Sequence, residues 1–126
     1  MVLRGLVVLR VIVAAVTKSK AVILGDNVAC DGHENGKVVR VVTHAHYDHV
    51  YGLSQSLNSC KAVYATPLTR DMIAVLYGIQ AERIKPLNCG EAVMVGDDVM
   101  AFYPADHIPG SVQVLVEDVN GYRALY

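Results

Sequence analysis

Short apolar runs alternate with brief polar breaks along this chain, and few of the runs are long enough to make a helix. "LVVLRVIVAAV", "KAVIL" and "NVACDG" read as consecutive strands, separated by "TKS" and "GDN". "KVVRVVT" is a further strand that leads directly into the polar stretch "HAHYDHV". Beyond it Val50, Leu53 and Leu57 recur at helical spacing, which predicts a short helix over "HVYGLSQSLN". "KAVYA" is then a strand, and Thr66 followed by Pro67 marks the start of a second helix. Leu68, Met72, Val75 and Leu76 give that helix an apolar face, read here as core, and Gly78 follows its last turn. The rest is β-rich. "ERIKPL", "AVMV" and "VMAFYPA" read as strands, the last two joined at Gly96-Asp97-Asp98. "SVQVLVE" and "YRALY" are joined through Asp118 to Gly121, where Asn-Gly is a hairpin signal. The pattern predicts a mixed α/β (α+β) layered fold with polar clusters at strand ends. "YRALY" is still in strand pattern at Tyr126, so residues 1–126 are expected to be the front part of a longer domain.

Composition changes this picture little. With 126 residues, 53% apolar and 18% charged, the chain suits a single globular domain and not a disordered segment. A formal net charge of −1 lacks the basic footprint common in nucleic-acid binders, without excluding such a partner. Cys30, Cys60 and Cys89 are odd in number and have no CxxC spacing, so they read as free thiols in a reducing compartment, not as a disulfide framework or zinc ligands. Arg10 interrupts the apolar N-terminus, which is read as a buried strand at a sheet edge and not as a signal peptide or membrane span. The expected location is cytoplasmic. Oligomeric state has no signature in the pattern.

The chemistry is concentrated in one place. His44, His46, Asp48 and His49 form H-x-H-x-D-H at a strand exit. On extended backbone His44 and His46 point the same way, so two imidazoles can meet one metal ion. Asp48 and His49 come as the chain turns into a helix and can face a second point nearby. Neutral imidazole and carboxylate suit zinc and also accept manganese or iron. His107, in the loop "PADHIPGSVQ", supplies the third histidine of the first site. His33 lies in a glycine-flanked loop and is expected to be exposed and non-ligating. Asp31, at the end of "NVACDG", is placed to accept the far N–H of a ligating imidazole and fix its tautomer. Ser111 has no base beside it and reads as a strand-start capping residue.

"THAHYDH", the upstream "CDG" and "ADHIPGS" resemble the first three motifs of the metallo-β-lactamase fold, over residues from about 20 to 126. "THAHYDHVYGLSQSL", "VYATPLT", "RIKPLN" and "PADHIPGSVQVLVEDVNGYRALY" resemble more closely the β-CASP nucleases, in the DNA cross-link-repair and Artemis-like branch, with archaeal RNA-processing exonucleases as further relatives. The resemblance implies the front part of a four-layer αββα sandwich with two Zn2+ ions, or Mn2+, at one edge. It implies a first metal site of His44, His46 and His107, and a second that holds Asp48 and His49 and takes a bridging aspartate from beyond Tyr126. A β-CASP cap would follow later. Implied too are metal-assisted hydrolysis of phosphodiester bonds in DNA or RNA, with Asp48 and His49 orienting the nucleophile, and nucleic acid as the partner. The same motif serves small-molecule hydrolases of the thioesterase or β-lactamase type, and a truncated domain would bind metal without turnover.

Overall fold

The computed structural model describes residues 14–126. Among the described residues ten strands and two α-helices follow one another in the order the apolar runs predict. The strands are β1 (Ala14–Val16), β2 (Val22–Leu24), β3 (Val28–Cys30), β4 (Val39–Val41), β5 (Ala62–Ala65), β6 (Lys85–Pro86), β7 (Ala92–Val95), β8 (Asp98–Pro104), β9 (Val112–Glu117) and β10 (Arg123–Leu125). Helix α1 spans Leu53–Ser59 and α2 spans Pro67–Tyr77. Strands β1 to β6 form one sheet in chain order, antiparallel from β1 to β3 and parallel from β3 to β6. The other sheet is an antiparallel meander in the order β10-β9-β8-β7.

Strict alternation on β8 and β9 sends Met100, Phe102, Val114 and Val116 inward, where they meet Leu24, Val28, Val39 and Val41 of the first sheet in one buried cluster. The opposite face of the first sheet is covered by the helices: Leu53 and Ile73 pack with Val42, Val63 and Ala65. Among the described residues the layers are therefore helix, sheet, sheet. The outer face of the second sheet carries Val99, Tyr103 and Leu125, all exposed.

Four local expectations are corrected. Of the N-terminal apolar run only Ala14–Val16 is described; it is an edge strand, as expected, but all three residues are exposed, and the remainder lies outside the described residues. The helix predicted from His49 is split into a 3₁₀ turn at Tyr47–His49 and α1, because Gly52 adopts a left-handed φ of 66° between them. In α2 the Thr66 cap and Pro67 stand as predicted, and Gly78 ends the helix at φ 68°. Its buried residues, however, are Thr69 and Ile73, while Leu68, Val75 and Leu76 are exposed and only Met72 of the predicted stripe packs on the core. The cap decides the phase: Thr66 and Thr69 both donate to the Gly110 carbonyl, at 2.8 and 3.0 Å, which turns that face inward. Finally, "ERIKPL" yields only the two-residue β6, since Ala81–Arg83 forms a 3₁₀ turn and Pro86 lacks the N–H of a longer ladder.

Candidate metal centre

Parallel pairing of Cys30 with Val41 brings β3 and β4 out of the sheet side by side. Asp31 follows one strand, and Val42, Thr43 and His44 follow the other. The Asp31 N–H donates to the Val41 carbonyl at 2.9 Å, and the Val112 N–H donates to the Thr43 carbonyl at 3.1 Å, so the second sheet is tied to the same point. Carboxyl ends of parallel strands are where open α/β sheets place their ligands.

Asp31 organises this junction. It is 3% exposed and holds a left-handed φ of 58°, a conformation that non-glycine residues adopt at a cost. Its Oδ1 accepts the Thr43 N–H at 2.8 Å. Its Oδ2 accepts the Thr43 hydroxyl at 2.6 Å, His49 Nδ1 at 2.8 Å and the Tyr126 hydroxyl at 3.0 Å. Because the Thr43 proton is committed to Asp31, Thr43 Oγ1 is left to accept from His44 Nδ1, 2.9 Å away. The two imidazoles are thereby set with Nδ1 protonated and the Nε2 lone pair outward, His49 directly and His44 through Thr43. Burial, then the neighbouring His49, lowers the pKa of His44, which favours the neutral ligating form. Hydrogen bonding to Asp31 raises that of His49. Burial and Asp31 likewise push the Tyr126 phenol up.

Two sets of donors converge here. One ring nitrogen from each of His44, His46 and His107 lies within 4.8 Å of the others, with His46 Nδ1 and His107 Nε2 3.2 Å apart. Asp31, His44 and His49 form a second such group, sharing His44. Asp48 stands outside both groups, exposed, with Oδ2 3.5 Å from His49 Nε2. Three imidazoles around one point, with the tautomer of His44 set through Thr43, fit a zinc-like ion. His33 is half-buried, where exposure was expected; Nδ1 contacts Ser56 Oγ at 2.9 Å and Nε2 contacts Asn35 Oδ1 at 3.1 Å. It belongs to neither donor group. Ser111 makes no cap, since its buried Oγ has no hydrogen-bond partner.

Several supporting residues escape sequence reasoning. Arg40 is fully buried in β4 and donates to the His49 carbonyl, the Ser56 hydroxyl and the Val41 carbonyl, each at 3.2 Å. Burial lowers its pKa to about 10. It clamps the 3₁₀ turn onto the sheet. Tyr77 of α2 donates to the Ala45 carbonyl at 2.7 Å and so holds the loop between His44 and His46. Thr43 was the one with a local signal, since it immediately precedes the histidine cluster.

No protein-family model matches the chain. In fold, it matches a metallo-β-lactamase from Cronobacter sakazakii with a TM-score of 0.64 over 91% of this chain and 59% of that one, at 15% identity. The chain thus carries the metallo-β-lactamase fold. In sequence it is 33% identical over 81 residues to the 5' exonuclease Apollo of Gallus gallus, covering 64% of this chain and 17% of that protein. It is 27% identical over 95 residues to the DNA cross-link repair 1A protein of Mus musculus, covering 75% of this chain and 9% of that protein. The chain therefore spans less than a fifth of the length of these relatives. The resemblance to the cross-link-repair branch of the β-CASP nucleases, first visible in the motifs, stands on these relatives.

Proposed function

We propose that the chain is the front part of a zinc-dependent hydrolase that cleaves phosphodiester bonds in DNA or RNA. The observation that carries this reading is the convergence of His44, His46 and His107 next to a second donor group at His49, with Asp31 holding both His44 and His49. The 5' exonuclease and the DNA cross-link repair protein among its relatives favour a nucleic-acid substrate over a β-lactam or thioester. In this reading His44, His46 and His107 hold one ion, and His49 with Asp48 holds part of a second site. Zinc bound there supplies Lewis-acid chemistry, polarising a phosphoryl oxygen and making water a competent nucleophile near neutral pH. Asp31 and Thr43 keep the imidazole lone pairs aimed at the ions. Asp48 and His49 would also orient the attacking water. No serine or cysteine nucleophile is required.

A second reading is a metal-binding chain without turnover. The displacement of Asp48 from both donor groups favours it for these 126 residues alone. One experiment separates the readings: the chain, and the longer gene product if it is part of one, are assayed on DNA and RNA oligonucleotides, a thioester and a β-lactam, with and without EDTA. Oligonucleotide hydrolysis abolished by EDTA is expected of the longer protein. Hydrolysis of the small molecules alone would overturn the nuclease reading.

A further inference from the structure

Beside the histidine loop lies a cluster of tyrosines that the metal chemistry does not use. Tyr47 sits between His46 and Asp48 and is 67% exposed; Tyr51, one turn on, is 42% exposed. Their rings meet edge to face at 5.2 Å, and Tyr47 lies 6.2 Å from the ring of Tyr77. The three rings, with Val50, Leu53 and Ile79, line an open groove of about 400 Å³. Lys20, in the turn before β2, holds its Nζ 5.9 Å over the Tyr51 ring. The groove is rigidly joined to the metal loop, because Tyr77 donates to the carbonyl of Ala45 and Tyr47 belongs to the same 3₁₀ turn as Asp48 and His49.

We propose that this groove is a stacking platform for the bases of a single strand whose phosphate enters the metal centre. The inference rests on the nuclease reading and adds to it the mode of substrate binding. Exposed aromatic faces stack bases regardless of sequence, and a cation beside them attracts the backbone. Tyr47 shares its 3₁₀ turn with Asp48 and His49, so a base stacked on its ring directs a neighbouring phosphate toward the donor groups. A duplex cannot offer the same faces, because its bases are already stacked on each other. The occupant is therefore a single strand or a frayed end.

The test is binding in EDTA, which removes hydrolysis from the readout. Fluorescein-labelled oligo-dT, oligo-rU and a blunt duplex are titrated with the chain and with Tyr51→Leu, Tyr51→Phe and Tyr47→Leu, while zinc content is measured on each protein separately. Each leucine variant is expected to weaken single-strand binding about tenfold, with Tyr51→Phe near the parent value and zinc content unchanged. Single-strand affinity that survives both leucine substitutions would overturn the platform and assign the rings to a protein contact, while leaving the hydrolase reading intact. Equal losses on duplex and single strand would overturn it as well. Weakened binding here, together with a longer gene product that hydrolyses no oligonucleotide, would support the platform and sink the nuclease reading alone.

Discussion

Asp31 is the residue on which the site most depends, and its four accepted hydrogen bonds explain why. Removing one carboxylate oxygen by Asp31→Asn keeps the size and breaks the fit, since an amide nitrogen cannot accept from His49, Thr43 and Tyr126. Such a change should weaken zinc affinity about 10–100-fold with the far-ultraviolet circular dichroism spectrum unchanged; a chelator competition would measure it. Thr43 offers a sharper probe. Thr43→Val preserves the shape but deletes the relay between Asp31 and His44, so zinc affinity should fall, whereas Thr43→Ser should retain it. Equal affinity in both variants would mean that Thr43 only fills space. Histidines separate in the same way: His44→Ala or His107→Ala should lower bound zinc, and His33→Ala should leave it unaltered, because His33 points at Ser56 and Asn35 instead. Elemental analysis decides, and equal loss in all three would refute the donor assignment. At this scale the sequence was highly legible. Side-chain chemistry is local, and H-x-H-x-D-H announces itself without a fold.

Elements set where those side chains stand. The loop carrying His107 is held by α2, whose Thr66 and Thr69 hydroxyls grip the Gly110 carbonyl. Gly110 has φ 87°, and a Cβ there would lie 2.8 Å from Thr69 Oγ1. Gly110→Ala is therefore expected to be destabilising and to lower zinc content as well, because the strain falls on the segment bearing His107. Thr66→Ala removes the helix cap and one grip on the loop, a loss of about 0.5–2 kcal/mol readable by urea denaturation. The apolar stripe of α2 was misread because periodicity reports which positions are apolar, not which face meets the sheet. Polar Thr69 took the inward place through a bond to a residue 41 positions away. The same limit hid Arg40, which looks like a misplaced charge in an apolar strand until the His49 carbonyl and Ser56 are beside it.

For the whole molecule, the uneven covering of the two sheets matters most. The first sheet has helices on its outer face; the second presents Met94, Val99, Tyr103 and Leu125 to solvent among the described residues. Apolar surface of this kind favours association. Val99→Lys with Leu125→Lys should reduce concentration-dependent self-association in light scattering without altering zinc content, and an unchanged particle size would show that the face is benign. Metal should also report on the whole fold, since the donors come from the segment after β4, the 3₁₀ turn and the loop before β9. A ligand bound only by the native state stabilises it by about 2.7 kcal/mol at a hundredfold excess over its Kd, so EDTA should lower the thermal midpoint. Sequence alone determined the succession of strands along the chain, the hairpin ends, the Thr66 cap and the clustering of His44, His46 and His49 at a strand exit, because each follows from spacing over a few residues. Tertiary structure alone decided that Asp31 serves two histidines at once, that Tyr126 reaches back to it across 95 residues, and that Tyr47, Tyr51 and Tyr77 form one groove. Those contacts join distant segments whose pairing depends on sheet register and packing, and no local pattern encodes either.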